Sequence, residues 1–313
     1  MNLHGRSLLT LEEFSREEIA FLLDLALQVK EERLRGQRPR RLEGYTLAMI
    51  FEKRSTRTRS AFESAFGEEG GYPTFLSAQD IHLGVKEDLA DTARVLGRMY
   101  DCIQFRGFEQ NTVEALAKHS GVPVYNGLTD LYHPTQVLAD LMTIREQRGS
   151  LEGARLAYVG DGRNNVARSL VIGCAKLGVS FSLGAPSELH LDPSFVERYQ
   201  SVAKNKGAEI VVSSDPMEAV RGADAVYTDV WTSMGEEDQK AARRALLEPY
   251  QVNDQLMEAT GIARSVFLHC LPAVKGEEVT ESVFERHARV VFDQAENRKH
   301  TIKAVVLATL GLA

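Results

Sequence analysis

The sequence has little cysteine and no long apolar run. Its three cysteines, Cys102, Cys174 and Cys270, show no CxxC spacing and cannot all pair. The longest apolar runs are too short to span a bilayer, and the opening stretch "MNLHGRSLLTLEEFSREE" lacks the apolar core of a secretory signal. Because free thiols without an export signal indicate a reducing compartment, we expect a cytoplasmic protein.

An excess of basic residues is also missing. The chain has 37 Lys and Arg against 44 Asp and Glu, a formal net charge of −7. This balance disfavours a general nucleic-acid or membrane-surface binder. The stretch "FEKRSTRTRSAF" at 51–62 runs against that balance, since it places four cations within seven positions. The cations are Lys53, Arg54, Arg57 and Arg59, and the hydroxyls between them belong to Ser55, Thr56 and Thr58.

Length and periodicity predict the fold class. A chain of 313 residues with 43% hydrophobic content favours two domains with sizeable cores. Strand patterns such as "YTLAMIF" and "ARLAYVG" alternate with helical patterns of ten to fifteen residues. This alternation predicts an α/β protein with two doubly wound parallel-sheet domains joined by interdomain helices. We place the first domain at 1–148, with a C-terminal helix at 294–313 packing back onto it, and the second at 149–293.

The basic stretch follows the first predicted strand, which stops at Phe51. We expect the next helix to begin near Ser60, so that "STRTR" occupies the strand-to-helix turn. Free backbone N–H groups, hydroxyls and arginine forks at such a turn are suited to hold a phosphate. A solvated basic loop is the alternative, but the interleaved hydroxyls favour a phosphate site. The GxxxxGK pattern of a Walker P-loop is missing.

Two further motifs end neighbouring strands. Arg106 in "IQFRGF" is typical of a surface ion pair when taken alone, yet adjacent parallel strands end side by side. We therefore expect it to face the same anion as Arg57. In "YHPTQ", His133 and Gln136 have the i, i+3 spacing of one helical face. Together, His133 and Gln136 are suited to polarise a carbonyl group and to hold an amide. The alternative is that His133 serves as a helix cap or a core residue.

The second half offers an amino-acid site. "VGDGRNNVARS" resembles a dinucleotide-binding glycine motif, but Asn165 replaces the third glycine and no acidic residue ends the next strand. Asn164 or Asn165 at a helix start is suited to bind a carboxylate. In "TDVWTSMGEED", Asp229 follows a strand and is suited to an ammonium group, with Ser233 and Met234 in the turn. An ordinary loop capped by Ser233 is the alternative.

The stretch "FLHCLPAVKG" places Cys270 at the end of another strand. A buried free cysteine is most often a small hydrophobic residue. The bond between Leu271 and Pro272 is a candidate cis peptide, because prolines in tight turns after strands sometimes adopt that form.

Taken in order, "STRTR", "FRG", "HPTQ", "DVWTSMG" and "HCLP" resemble the aspartate/ornithine carbamoyltransferase family over nearly the whole chain. The "SMG" and "HCLP" motifs resemble its ornithine branch. The resemblance implies transfer of the carbamoyl group from carbamoyl phosphate to the δ-amine of L-ornithine, giving L-citrulline and phosphate in arginine metabolism. It also implies no cofactor, no metal and a homotrimer, with higher assembly left open. Transfer to another amine, such as putrescine or an acylated ornithine, is the alternative.

The resemblance also assigns roles to individual residues. The set that binds carbamoyl phosphate is Ser55, Thr56, Arg57, Thr58, His82, Arg106, His133, Gln136, Cys270, Leu271 and Arg298. Its catalytic members are Arg57, Arg106, His133, Cys270 and Arg298, and His82 belongs to a loop that reaches a neighbouring subunit. The set that binds ornithine is Asn165, Asp229, Ser233 and Met234.

Two other classes of protein each fit one motif of the sequence. A dinucleotide-dependent dehydrogenase fits "GDGRNN" but lacks the third glycine and the acidic ribose ligand. A phosphate-sensing or nucleic-acid-binding module fits the arginine-rich turn but conflicts with the acidic net charge. We therefore expect small-molecule substrates as partners, with neither nucleic acid nor membrane.

Overall fold

The computed structural model of the protein describes residues 1–78, 81, 87–232 and 237–313. The chain forms two compact units. Unit 1 comprises Met1–Ala139 and Glu296–Ala313, and unit 2 comprises Asp140–Ala295. The sequence predicts divisions after residues 148 and 293, whereas the structure divides the chain after residues 139 and 295.

Unit 1 is built on a parallel sheet. In chain order its elements are α1 (Arg16–Leu34), β1 (Thr46–Phe51), α2 (Thr56–Glu68), β2 (Tyr72–Ser77), α3 (Leu89–Met99), β3 (Cys102–Arg106), α4 (Gln110–Ser120) and β4 (Val124–Leu128), followed by the start of α5 (Pro134–Arg148). The four strands lie in the order β2-β1-β3-β4. A core cluster that includes Ile50, Phe105 and Val124 packs strands β1, β3 and β4 against α3 and α4.

Helix starts in unit 1 follow their capping residues. A capping box is present at α1, where Ser15 and Glu18 each accept a backbone N–H from the other. The predicted start of α2 near Ser60 is wrong. The helix begins at Thr56, because the Ser55 side chain accepts the Thr58 N–H at 3.1 Å and so caps the helix four residues earlier.

Unit 2 is built on a second parallel sheet. Its elements are β5 (Arg155–Val159), α6 (Asn165–Leu177), β6 (Ser180–Gly184), α7 (Pro193–Lys204), β7 (Ile210–Ser213), α8 (Pro216–Ala219), β8 (Ala225–Thr228), α9 (Lys240–Leu247), α10 (Asp254–Ala259), β9 (Val266–His269) and the start of α11 (Glu281–Thr309). The strand order is β7-β6-β5-β8-β9. The predicted start of the last helix at residue 294 is wrong, since α11 begins at Glu281.

The predicted fold class is confirmed: both sheets are parallel, their strands alternate with helices, and α5 and α11 each contain residues of both units. In each unit the carboxyl ends of the strands carry the polar motifs singled out in the sequence, as expected for an open parallel sheet. Within the described ranges, the helices are all too short or too polar to cross a membrane.

Candidate active site

The carboxyl ends of β1 and β3 bring the first two motifs together. These strands pair in parallel with Phe51 opposite Arg106. Because α2 begins at Thr56, the "STRTR" motif forms the cap and first turn of this helix rather than the turn before it. The N–H groups of a first helical turn and the helix dipole favour an anion there.

Thr58 is the meeting point of two arginines. Its Oγ1 accepts hydrogen bonds from Arg106 Nη1 at 3.0 Å and from Arg298 Nη2 at 2.8 Å. Thr58 is fully buried, and Arg106 and Arg298 are 7% and 3% exposed. Two guanidinium groups from β3 and α11 therefore converge on one neutral hydroxyl at the start of α2.

His133 lies beside the same arginines. Burial lowers the pKa of His133 well below its usual value, and the charges of Arg298, Arg106 and Arg57 lower it further. Its imidazole is therefore neutral at physiological pH. Gln136, also buried, donates its backbone N–H to the His133 carbonyl at 3.1 Å. The structure thus brings the predicted residues Arg57, Arg106 and Arg298 within electrostatic reach of the His133 imidazole.

Other cations of the basic stretch are directed elsewhere. Lys53 donates to Asp130 at 2.5 Å and lies 4.2 Å from the centre of the Phe108 ring. Arg59 donates to Glu63 at 2.8 Å and lies 4.0 Å from the centre of the Phe75 ring. The cluster that looks continuous in the sequence is therefore divided in the fold.

A cavity of about 560 Å³ opens beside the start of α2. Its lining includes Ser55 and Thr56 together with Phe51, Arg54 and Phe75. Of the residues predicted to bind phosphate, Ser55 and Thr56 line this cavity, whereas Thr58, Arg106 and Arg298 lie outside its lining.

Gly127 is a site residue that sequence reasoning missed. A Cβ at this position would lie 2.5 Å from Gln104 Nε2 and 3.0 Å from Thr58 Cγ2. A larger residue at this position would displace the Gln104 side chain and crowd Thr58, on which the two arginines converge. The available signal was a glycine inside the strand pattern "VYNGL", which marks a close approach of another group.

In unit 2, Asn164 caps α6 and holds Asp229. Asn164 Oδ1 accepts the Ala167 N–H at 2.8 Å, while Nδ2 donates to the Tyr158 hydroxyl at 2.5 Å and to Asp229 Oδ2 at 3.4 Å. The Asn164 side chain is thus engaged within the protein. Asn165, the next residue, is the first residue of α6.

Asp229 is half-buried among polar neighbours. Its Oδ1 accepts the Val230 N–H at 2.8 Å and the Cys270 thiol at 3.0 Å. Burial raises the pKa of Asp229, and nearby His269 and the hydrogen bond from Cys270 partly oppose that rise. A cationic group brought to this carboxylate would favour its ionised form.

The "HCLP" turn follows β9. The predicted cis bond between Leu271 and Pro272 is confirmed, and Leu271 has a φ of +61°. The Leu271 N–H donates to His269 Nδ1 at 2.8 Å. The ligand atoms of Asp229, His269 and Cys270 lie within 4.8 Å of one another, a donor set that zinc accepts. In this structure these atoms are engaged in hydrogen bonds within the protein.

Three predicted residues, His82, Ser233 and Met234, lie outside the described residues. The other predicted residues fall into two groups, one in each unit. Unit 1 contains Ser55, Thr56, Arg57, Thr58, Arg106, His133, Gln136 and Arg298, and unit 2 contains Asn165, Asp229, Cys270 and Leu271.

Two family models match the chain. The carbamoyl-P binding domain of aspartate/ornithine carbamoyltransferase matches residues 6–146, and the Asp/Orn binding domain of the same family matches residues 152–309. Together they account for most of both units.

Named relatives match over the full length. The ornithine carbamoyltransferase of Caldanaerobacter subterraneus is 61% identical over 309 residues, covering 99% of each chain. The catabolic ornithine carbamoyltransferase of Bacillus licheniformis is 53% identical over 328 residues, covering 99% of this chain and 98% of that protein. The solved ornithine carbamoyltransferase of Pyrococcus furiosus has a TM-score of 0.95 at 45% identity, covering 99% of each chain.

Proposed function

Because the chain belongs to the aspartate/ornithine carbamoyltransferase family and is therefore a carbamoyltransferase, we propose that it carbamoylates L-ornithine. The δ-amine would take the carbamoyl group of carbamoyl phosphate, giving L-citrulline and phosphate. The observation that carries this proposal is the opposite chemistry of the two polar groups. Unit 1 gathers buried guanidinium groups around a neutral histidine, whereas unit 2 gathers a half-buried carboxylate, amides and a thiol.

Unit 1 supplies the groups suited to carbamoyl phosphate. Arg57, Arg106 and Arg298 would hold phosphate oxygens together with the hydroxyls and N–H groups of the first turn of α2. His133, kept neutral by its surroundings, would donate a hydrogen bond to the carbamoyl oxygen, and Gln136 would hold the carbamoyl amide. Donors fixed before the reaction stabilise charge that develops on the oxygen and on the leaving phosphate.

Unit 2 supplies the groups suited to ornithine. Asp229 would bind the α-ammonium group, and Asn165 would bind the carboxylate. Cys270 and the Leu271 carbonyl would lie beside the δ-nitrogen, while Ser233 and Met234 are assigned by their motif alone. Aspartate as acceptor would bring a second carboxylate to the half-buried Asp229, which raises the electrostatic cost of its binding.

The chemistry itself needs neither metal nor organic cofactor. The neutral δ-amine attacks the carbamoyl carbon, a C–N bond forms, the C–O bond to phosphate breaks, and the nitrogen loses one proton. Deprotonating an alkyl amine of pKa ~10.4 at pH 7 costs about 4–5 kcal/mol. Correct placement of two reactants contributes roughly 7–11 kcal/mol, which exceeds that cost. We therefore expect turnover to rise with pH; a flat profile from pH 6 to 9 would argue against attack by the neutral amine.

We also propose a homotrimer in the cytoplasm. Strand β2 is at an edge of the unit 1 sheet, and Tyr72 on it is 73% exposed. On α3, Val95 is 47% and Met99 68% exposed. Exposed apolar residues on an edge strand and a helix favour association with a further copy. Light scattering should give three chains per particle, and a monomer would contradict the proposal.

The function is tested by incubating the protein with carbamoyl phosphate and L-ornithine. Citrulline and phosphate should appear in equal amounts. Putrescine, N-acetyl-L-ornithine and L-aspartate serve as competing acceptors in parallel reactions, and their products are identified by mass spectrometry. Faster carbamoylation of one of these amines than of ornithine would contradict the proposed acceptor.

A further inference from the structure

Unit 2 contains a buried ion pair that has no part in the proposed chemistry. Arg243 on α9 donates from both Nη1 and Nη2 to Asp161 Oδ2, each at 2.8 Å. The Arg243 and Asp161 side chains are 10% and 7% exposed. Because a buried charge that loses its partner is strongly unfavourable, this pair holds its two segments together.

Asp161 belongs to the tight turn between β5 and α6. Its other oxygen, Oδ1, accepts the Arg163 N–H at 2.9 Å and so closes the turn. Gly160 has a φ of +133°, and a Cβ on Gly162 would lie 2.5 Å from Leu183 Cδ2 and 2.7 Å from the Leu189 carbonyl oxygen. The turn therefore packs closely against neighbouring residues. The Asp161 carboxylate contacts both the backbone of this turn and Arg243 of α9.

The same turn leads directly into the proposed ornithine residues. Asn164, three positions after Asp161, donates to Tyr158 at 2.5 Å and to Asp229 at 3.4 Å. Asn165 follows as the first residue of α6. A shift of this turn would move Asn165 and release Asp229 from Asn164 at the same time.

Helix α9, which carries Arg243, is itself anchored in the core of unit 2. Leu247, one helical turn further along α9, is fully buried in a core cluster that also contains Trp231, two residues after Asp229. The neighbouring Arg244 is exposed instead. The ion pair therefore connects a helix fixed in the core of unit 2 to the turn that orients Asn164 and Asn165.

We infer that Asp161 and Arg243 are positioning residues that set the affinity for the amino-acid substrate, by fixing the turn that carries Asn165 and holds Asp229. The inference rests on the proposed function of unit 2. Neither residue touches the reacting atoms in this assignment. If the ion pair were purely structural, its loss would lower the stability of the protein and would change the KM values of both substrates to the same extent.

The test compares Arg243→Gln and Asp161→Asn with the matched control Arg244→Gln. In the first two variants the KM for ornithine should rise up to about 100-fold, since displacement of binding groups by about 1 Å has effects of that size. The KM for carbamoyl phosphate should stay within about twofold of the wild-type value in all three, because the arginines and the histidine proposed to hold it belong to unit 1. Arg243→Lys, which keeps the charge but cannot donate from two nitrogens of one planar group, should restore part of the ornithine affinity.

A normal ornithine KM in folded Arg243→Gln, or an equal change in both KM values, would overturn the inference. Circular dichroism and a melting curve establish that each variant is folded. If a single variant does not fold, the Asp161→Asn Arg243→Gln double variant replaces it, because two neutral amides leave no uncompensated charge. A normal ornithine KM in the double variant would equally overturn the inference. Failure of the wild-type protein to form citrulline would instead refute the proposed function.

Discussion

The two units bury polar groups of opposite character, and burial shifts their pKa values in opposite directions. In unit 1 it lowers the pKa of His133, and three nearby arginines lower it further. In unit 2 it raises the pKa of Asp229. Each environment disfavours the charged form of its own group. A bound anion would relieve the repulsion among the cations of unit 1, and a bound cation would stabilise the carboxylate of unit 2.

The two units also differ in the sequence separation between the polar residues that contact one another. Thr58 and Arg298 are separated by 240 residues and meet through a 2.8 Å hydrogen bond. An ion-pair network supports this contact: Lys299 and Lys303 on α11 pair with Glu68 in α2 at 3.2 Å, and Lys303 also pairs with Glu69 at 3.1 Å. The position of Arg298 over α2 thus depends on contacts between the two ends of unit 1.

The largest expected effect would come from removing a unit 1 cation. Arg57→Ala should reduce kcat/KM for carbamoyl phosphate about 10²–10³-fold, the usual consequence of losing a preorganised donor to a developing negative charge. Arg35→Ala is the control, because Arg35 is an exposed arginine of unit 1 that pairs with Glu31 on α1. Steady-state kinetics on both variants measure the difference. Similar losses in the two variants, or near-normal activity in Arg57→Ala, would remove the proposed phosphate site.

A smaller effect is expected from neutralising Asp229, the carboxylate of unit 2. Asp229→Asn should raise the KM for ornithine about 10–100-fold, equivalent to the roughly 1.5–3 kcal/mol of a hydrogen bond to a charged group. Carbamoyl phosphate binding, measured by calorimetry without ornithine, should be unchanged. Glu197→Gln, on the exposed face of α7, removes a charge from the same unit and serves as the control. Loss of carbamoyl phosphate binding in Asp229→Asn would contradict the separate roles of the units.

Much of this fold could be predicted because most strands are short runs rich in apolar residues, and most of the motifs lie at or soon after the end of one. The local site residues were predictable for the same reason: Arg106 and Asp229 come at or directly after the ends of strands whose register the sheet then fixes. The start of α2 was misplaced because Ser55 is one of several hydroxyl residues in its motif, each able to cap a helix. The fold selects one of them.

Tertiary contacts determine which residues of the candidate site lie together, and the sequence pattern does not show these contacts. Nothing local in α11 indicates that Arg298 reaches Thr58, so this residue was assigned through family resemblance alone. Within the basic stretch, Lys53 and Arg59 have the same appearance as Arg57, and the acidic partners that engage them are visible only in the fold. Side-chain chemistry therefore predicted the kind of site, while packing shows which of the predicted residues lie together.

The smallest expected effect concerns stability and tests the opposite pKa shifts directly. A histidine whose pKa is lower in the folded than in the unfolded state destabilises the fold on acidification. The His133 contribution should therefore be complete above pH ~6.5 and decline below it, by at most about 1.4 kcal/mol per pH unit. Asp229 has a raised pKa in the folded state. Its contribution has the opposite sign: stability is greatest below pH ~3.9 and declines as pH rises through the folded-state pKa.

Urea unfolding of the wild-type protein, His133→Asn and Asp229→Asn between pH 4.5 and 8 measures both contributions. Taking the difference between each variant and the wild type removes the background from His287 and His300, whose pKa values are also lowered by burial. Relative to the wild type, His133→Asn should lose less stability on acidification, whereas Asp229→Asn should lose less as the pH rises. Saturating phosphate should weaken the His133 contribution, because an anion among the arginines raises the pKa of that imidazole. Slopes of the same sign in both variants would show that the two units do not bury groups of opposite electrostatic preference.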